Sequence, residues 1–153
     1  ALIQAVLADV ITAFAASSAE AVEPDDPAVR FATITALALR RAAALPDEVR
    51  VVLRLDAAHR AVVDGGGFDH LHADLVAGAA TGRFDTEVDG ATLDIVVGAI
   101  LLATRRVADR LVAADYPVRV ITQLLRMLGV DAAEARDVAT LAVEAAAVSP
   151  EAN

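Results

Sequence analysis

The stretch RFDTEVDGATLDIVVGAILLATRRVADRLVAADYPVRVITQLLRMLG, from Arg83 to Gly129, decides how this chain is read. An exposed turn, Gly82-Arg83-Phe84-Asp85, leads into a segment that is apolar nearly all the way round from Leu93 to Ala103. A second, amphipathic segment runs from Val118 to Leu128 and stops at Gly129. A helix with no polar face must be covered on both sides. A chain of 153 residues can cover one side with its own core. The economical cover for the other side is a second copy, docking the same two helices across a two-fold axis. Helical spacing places Leu93, Val97, Ile100, Thr104, Val107 and Leu111 toward the core. Ile95, Gly98, Ala99, Leu102 and Arg106 then lie on the opposite, dimer-facing side, and Ile121, Leu124, Leu125 and Leu128 are expected to complete a four-helix interface.

Working outward, composition supports one all-α domain. A chain of this length buries roughly 70% of its unfolded surface, enough for a core and room for a cavity. Thirty-seven residues are Ala, Phe and Tyr together number five, and Trp is absent, which favours closely packed helices over strands. Without Cys there are no disulfides, thiolate metal sites or cysteine nucleophiles, and a cytoplasmic setting is the compatible expectation. All thirteen basic residues are Arg, a usage that points to a GC-rich, bacterial genome. They are scattered among twenty-two carboxylates for a net charge of −9, so this chain alone lacks the basic stripe that holds DNA. Residues 1–16 superficially resemble a signal peptide. However, Gln4 and Asp9 interrupt the apolar run, and Ile3, Val6, Leu7, Val10, Ile11 and Phe14 recur at helical spacing. The run Ile95–Ala103 is far short of the ~20 residues of a membrane span, so no membrane partner is expected.

Punctuation predicts seven helices. The first runs to about Ala19. Asp26 caps the second, with Pro27 at its first position, and Phe31, Ile34, Leu37 and Ala38 face inward to about Ala44. Leu45-Pro46-Asp47 starts the third, to about Asp64, before Gly65-Gly66-Gly67. The fourth spans Asp69 to about Ala80. The fifth starts near Thr86, where Thr86 and Asp89 have capping-box spacing, and ends around Ala114. Asp115-Tyr116-Pro117 opens the sixth, closed by Gly129 in the left-handed conformation, and Asp131 and Glu134 cap a seventh to about Ala147.

With these helices placed, the chain resembles the effector-binding and dimerisation domain of a TetR-family transcriptional regulator. Ala1-Leu2-Ile3-Gln4-Ala5-Val6-Leu7 resembles the start of the family's long linking helix. Gly82-Arg83-Phe84-Asp85-Thr86-Glu87-Val88-Asp89 resembles the turn before its first dimerisation helix. Ile121 to Val130, with Glu134-Ala135, resembles its last long helix and the segment after it. The resemblance implies ligand-binding helices over residues 1–84, dimerisation helices over 85–129, and a C-terminal helix and tail over 130–153. It also implies a homodimer, a small-molecule effector, and DNA binding, as a repressor for example, only through an N-terminal helix-turn-helix not in this chain.

Nothing assembles a catalytic constellation, so no enzyme activity, cofactor or metal is expected. His70 and His72, two apart, point to nearly opposite sides of a helix. His70 and Asp74 have ligand spacing but read as readily as a solvated pair. Asp56 and Arg60 read as a surface pair, and Arg40-Arg41 and Arg105-Arg106 as solvated or interface charges. His59 shares a stripe with Val52, Leu55 and Val62; it is either a hydrogen-bonded core histidine or a polar anchor in an apolar pocket. Phe14, Ile34, Leu71, Leu75 and Val97 are the expected lining of an effector pocket, with Thr35 and His59 as polar contacts and Phe68 as a movable lid. Such a site suits a largely apolar molecule with one or two hydrogen-bonding groups. The competing expectation is that the Ala side chains let the helices close without a cavity. Two other functions remain open: a helical enzyme or carrier that binds an apolar molecule with no link to DNA, and a purely structural dimerisation module.

Overall fold

A computed structural model describes residues 25–54 and 68–148. They form six helices: α1 Pro27–Ala44, α2 Pro46–Arg54, α3 Asp69–Ala80, α4 Gly90–Ala108, α5 Tyr116–Met127 and α6 Ala132–Val148. No strand occurs among the described residues, so the architecture is all-α. The six keep the expected order from the second helix onward, while the first expected helix lies outside the described residues. No helix among the described residues is long and apolar enough to cross a membrane.

Local chemistry explains most helix ends. The Asp26 side chain accepts from the Ala28 N–H (2.8 Å), with Pro27 at the start of α1. The Asp131 carboxylate accepts from Ala133 and Glu134 at the start of α6. The boundaries of α4 differ from expectation. Its cap is Asp89, whose carboxylate accepts from the Thr92 N–H (2.8 Å), and not Thr86. Both residues can cap, but the turn before them is tied elsewhere, so the helix begins one turn later. It ends at Ala108, six residues before Ala114. The Arg110 N–H bonds Val107 O and the Leu111 N–H bonds Arg106 O, with Arg110 itself left-handed at φ 56°. These two bonds close a helix in the way a glycine usually does. Leu111 consequently leaves the helical stripe and is 67% exposed.

The core forms where α6 crosses α1 and α5, the two most extensive helix contacts. Every buried residue of α6 is an alanine: Ala135, Ala139, Ala142 and Ala146. Opposite them α1 presents Ala28, Ala32 and Ala36, so small side chains bring these helices together. The buried stripe of α1 is centred on Phe31, Thr35 and Leu39, whereas Ile34, Leu37 and Ala38 are only half-buried. Phe31, Leu75, Val96, Ile121, Leu125 and Leu128 are the large fully buried side chains of the cluster built around this crossing. Each contributes about 1.5–3 kcal/mol by leaving water. A smaller cluster, Leu39, Ala42, Ala103, Val107 and Ala108, joins α1 to the second half of α4.

Candidate functional site

The α4 residues expected to bind effector and to face a second copy lie on two surfaces of the helix, and the turn that precedes the helix is fixed by its own contacts. Gly82 is left-handed (φ 71°), and the N–H groups of Arg83 and Phe84 both bond to Gly78 O (2.9 and 3.0 Å), folding the turn back over α3. Phe84 is thereby buried with its ring against the Gly78 backbone, where a Cβ would overlap it. The Asp85 N–H bonds Leu128 O (2.9 Å). Gly129, at φ 93°, leaves room for that approach, since a Cβ there would sit 2.8 Å from Asp85 N. Arg83 ties the junction together. Its Nε and Nη2 donate to both Asp26 oxygens (2.8 and 3.0 Å), and its Nη2 and Nη1 donate to Glu134 (2.8 and 3.3 Å). This two-sided hydrogen bonding raises the Arg83 pKa further, and the same guanidinium holds the Asp26 carboxyl below its usual range despite partial burial. Glu134 has capping-box spacing from Asp131, but its carboxylate reaches Arg83 instead.

The outer face of α4 is open. Ile95 and Leu102 are 58% and 57% exposed, Gly98 and Arg106 are exposed, and Ala99 is half-buried. Val97 and Val107 are buried on the other side, with Leu93, Ile100 and Thr104 half-buried. The corresponding expectation for α5 is corrected. Ile121, Leu125 and Leu128 have no exposed surface and Leu124 only 5%, because α6 packs across the face that they form. None of the three fully buried side chains can touch a second copy. The faces that α5 leaves exposed carry Arg119, Gln123, Arg126 and Met127.

Of the expected pocket residues, Phe14 and His59 lie outside the described residues. Leu75 and Val97 are buried, while Ile34, Phe68 and Leu71 are half-buried on α1, on the approach to α3, and on α3. Leu71 and Leu75 join the main core beside Phe31 and Val96. Thr35 is buried, and its hydroxyl donates to Phe31 O within its own helix (2.8 Å), so its hydrogen is already used. A cleft of about 40 Å³ lies elsewhere, between α2 and α4, lined by Val49, Arg50, Leu53, Arg105, Ala108 and Asp109. It is far below the roughly 300 Å³ at which ligand pockets begin.

Sequence reasoning missed the cross-links that hold these helices. Arg50 donates to Asp109 (3.0 Å) and to Ala108 O (2.7 Å), capping the last turn of α4 from α2. Arg40, expected as a solvated or interface charge, donates to Ala146 O at the end of α6 (2.6 Å). Arg41 pairs with Glu48 (3.3 Å). Arg30 pairs with Asp74 (2.9 Å), which engages the carboxylate considered beside His70. Among the described residues no group of His, Asp or Glu could hold a metal ion. The Asp56–Arg60 pair lies outside the described residues.

No curated protein matches the chain. Among solved structures, the chain is similar to RolR in complex with the ligand resorcinol. They share 28% identity at a TM-score of 0.71, over 91% of this chain and 69% of RolR. The family model of the tetracyclin repressor-like C-terminal domain matches residues 26–141, from the Asp26 cap to the middle of α6. With the Gly82–Asp89 turn and the helices around it in place, the chain belongs to the TetR family as a C-terminal domain.

Proposed function

We propose that this chain is the effector-binding and dimerising module of a TetR-type transcriptional regulator, responding to a small, largely apolar molecule with one or two hydrogen-bonding groups. The observation that carries the reading is the match over 91% of the chain to a regulator holding resorcinol, a benzene ring with two hydroxyls. That chemistry agrees with the apolar character of the side chains on α1, α3 and α4 that we assign to the effector site: Ile34, Leu71, Leu75 and Val97. His59 would supply the polar anchor, with Phe68 at the edge. The exposed stripe Ile95–Gly98–Leu102 supports self-association through α4. Recognition of DNA would belong to a helix-turn-helix of the parent protein, since this chain carries a net charge of −9.

Thermal unfolding across a panel of phenols, resorcinol included, tests the effector class. A ligand that binds only the folded form raises stability by mass action, about 2.7 kcal/mol at a hundredfold excess over Kd. The proposal expects a shift with at least one phenol, reduced in His59→Ala and abolished in Val97→Phe. Shifts left intact in both variants would put the site elsewhere, and no shift with any phenol would overturn the effector class.

A further inference from the structure

The ion pair between α1 and α3 is unlike the others in the molecule. Arg30 Nε donates to Asp74 Oδ1 at 2.9 Å, and the Asp74 side chain is only 17% exposed. Every other ion-paired carboxylate among the described residues is at least 33% exposed. A carboxylate offers two oxygens and about four acceptor positions. Asp74 uses one of them for Arg30, and among the described residues its Oδ2 accepts nothing. A carboxylate drawn this far from water is costly unless its remaining lone pairs meet donors. Its place on the helices is equally specific. Asp74 follows Leu71 by three residues and Arg30 precedes Ile34 by four, so each charged side chain shares a helix face with an apolar one assigned to the effector. Arg30, Ile34, Leu71 and Asp74 are all half-buried, whereas their sequence neighbours Phe31 and Leu75 are fully buried. The α1–α3 contact is therefore closed along Phe31 and Leu75 and left open along this face. Ile34 and Val97 also belong to neither of the two buried clusters.

From this geometry, and resting on the effector class proposed above, we propose that Asp74 Oδ2 accepts a hydrogen bond from a hydroxyl of the effector, with Arg30 holding the carboxylate in place. The anchor fixes the sense of recognition, because a carboxylate oxygen takes a proton donor and nothing else. Arg30 already balances the charge of Asp74, so the pair suits a neutral hydroxyl. An ionised carboxylate or phosphate on the ligand would instead set like charge against Oδ2. An O-methyl ether of the same shape brings no donor and covers Oδ2 with a methyl group, which leaves a buried acceptor unsatisfied. A site built to pair a hydroxyl rejects the analogue that lacks it far more strongly than an apolar pocket distinguishes one methyl group. Asp74 thus names the effector as a phenol with a free hydroxyl and excludes its ether and its acid.

Paired ligands test the anchor. Phenol, catechol and resorcinol are each titrated calorimetrically beside the fully O-methylated counterpart, with the whole chain. The unmutated protein should bind at least one of the three about ten- to a hundredfold more tightly than its ether, the range expected of a hydrogen bond to a charged group. That preference should shrink in Asp74→Asn, which keeps the shape of the side chain. It should disappear in Arg30→Leu combined with Asp74→Leu, which removes both charges together and leaves no orphaned arginine. Circular dichroism checks the helix content of each variant, and either folded variant suffices for the test. A pair that only clamps α1 to α3 would weaken hydroxyl and ether alike and leave their ratio unchanged. Such an unchanged ratio, or an ether that binds the unmutated chain as tightly as its phenol, overturns the anchor while the effector class stands. Failure of all three phenols to bind overturns the effector class, and the anchor with it.

Discussion

Gly78 and Gly98 both lie inside helices, and their surroundings are opposites. Around Gly78 the chain closes on itself: the Phe84 ring fills the missing Cβ space, the turn's N–H groups end on Gly78 O, and Arg83 binds Asp26 and Glu134. Around Gly98 there is nothing, although Ile95 and Leu102 stand beside it. A glycine whose space is used internally belongs to the fold. One whose space is open, between exposed apolar side chains, points to something outside the protomer. The junction before α4 is thus a part of the molecule made for stability, and the outer face of α4 is the part proposed for contact.

The largest effect should come from emptying the junction. Phe84→Ala removes a buried ring and leaves its cavity over Gly78, for a loss of about 3–5 kcal/mol in denaturant unfolding. A loss below about 1 kcal/mol would mean that the turn does not anchor α3. Gly129→Ala meets a strained φ and the Asp85 backbone together, and should cost about 2–4 kcal/mol in the same measurement.

Which of these features a reader of the sequence can find depends on how local they are. Pro27 after Asp26, the Gly129 stop and the Asp131 cap act within a turn of helix, and each stands where spacing puts it. The end of α4 escapes a reading by residue type because its signal is a left-handed Arg110 where glycine is usual. The inward face of α5 is legible as apolar. Its partner is not, because alanines in α6 carry little pattern of their own yet permit the closest packing. The Arg83 and Arg50 cross-links join residues 50–60 positions apart, and only the folded chain brings them together. Of the pocket, apolar character is legible at Leu71, Leu75 and Val97, but the hydroxyl of Thr35 is used by its own helix.

A smaller effect separates the junction's electrostatics from its packing. Arg83→Met leaves the Asp26 and Glu134 carboxylates partly open to water and should cost about 1–2 kcal/mol at neutral pH. Arg83 lowers the Asp26 pKa in the folded state, so the stabilisation is present above the unfolded carboxylate range and is lost as pH falls through the folded value. The difference between the unmutated chain and Arg83→Met should therefore narrow below about pH 4. A difference unchanged from pH 7 to pH 3 would remove the ion pair from the account. At the open face, Gly98→Ala should stabilise the protomer by about 1 kcal/mol through helix propensity. Gly78→Ala should show no such gain, because its methyl overlaps the Phe84 ring.

The contact role of the α4 outer face is tested most directly by the solution mass of the unmutated chain beside Leu102→Arg, measured by light scattering. The account predicts twice 15.8 kDa for the unmutated chain and a single chain for Leu102→Arg with its helix content retained. A single-chain mass for the unmutated protein, or a doubled mass that survives Leu102→Arg, would contradict it.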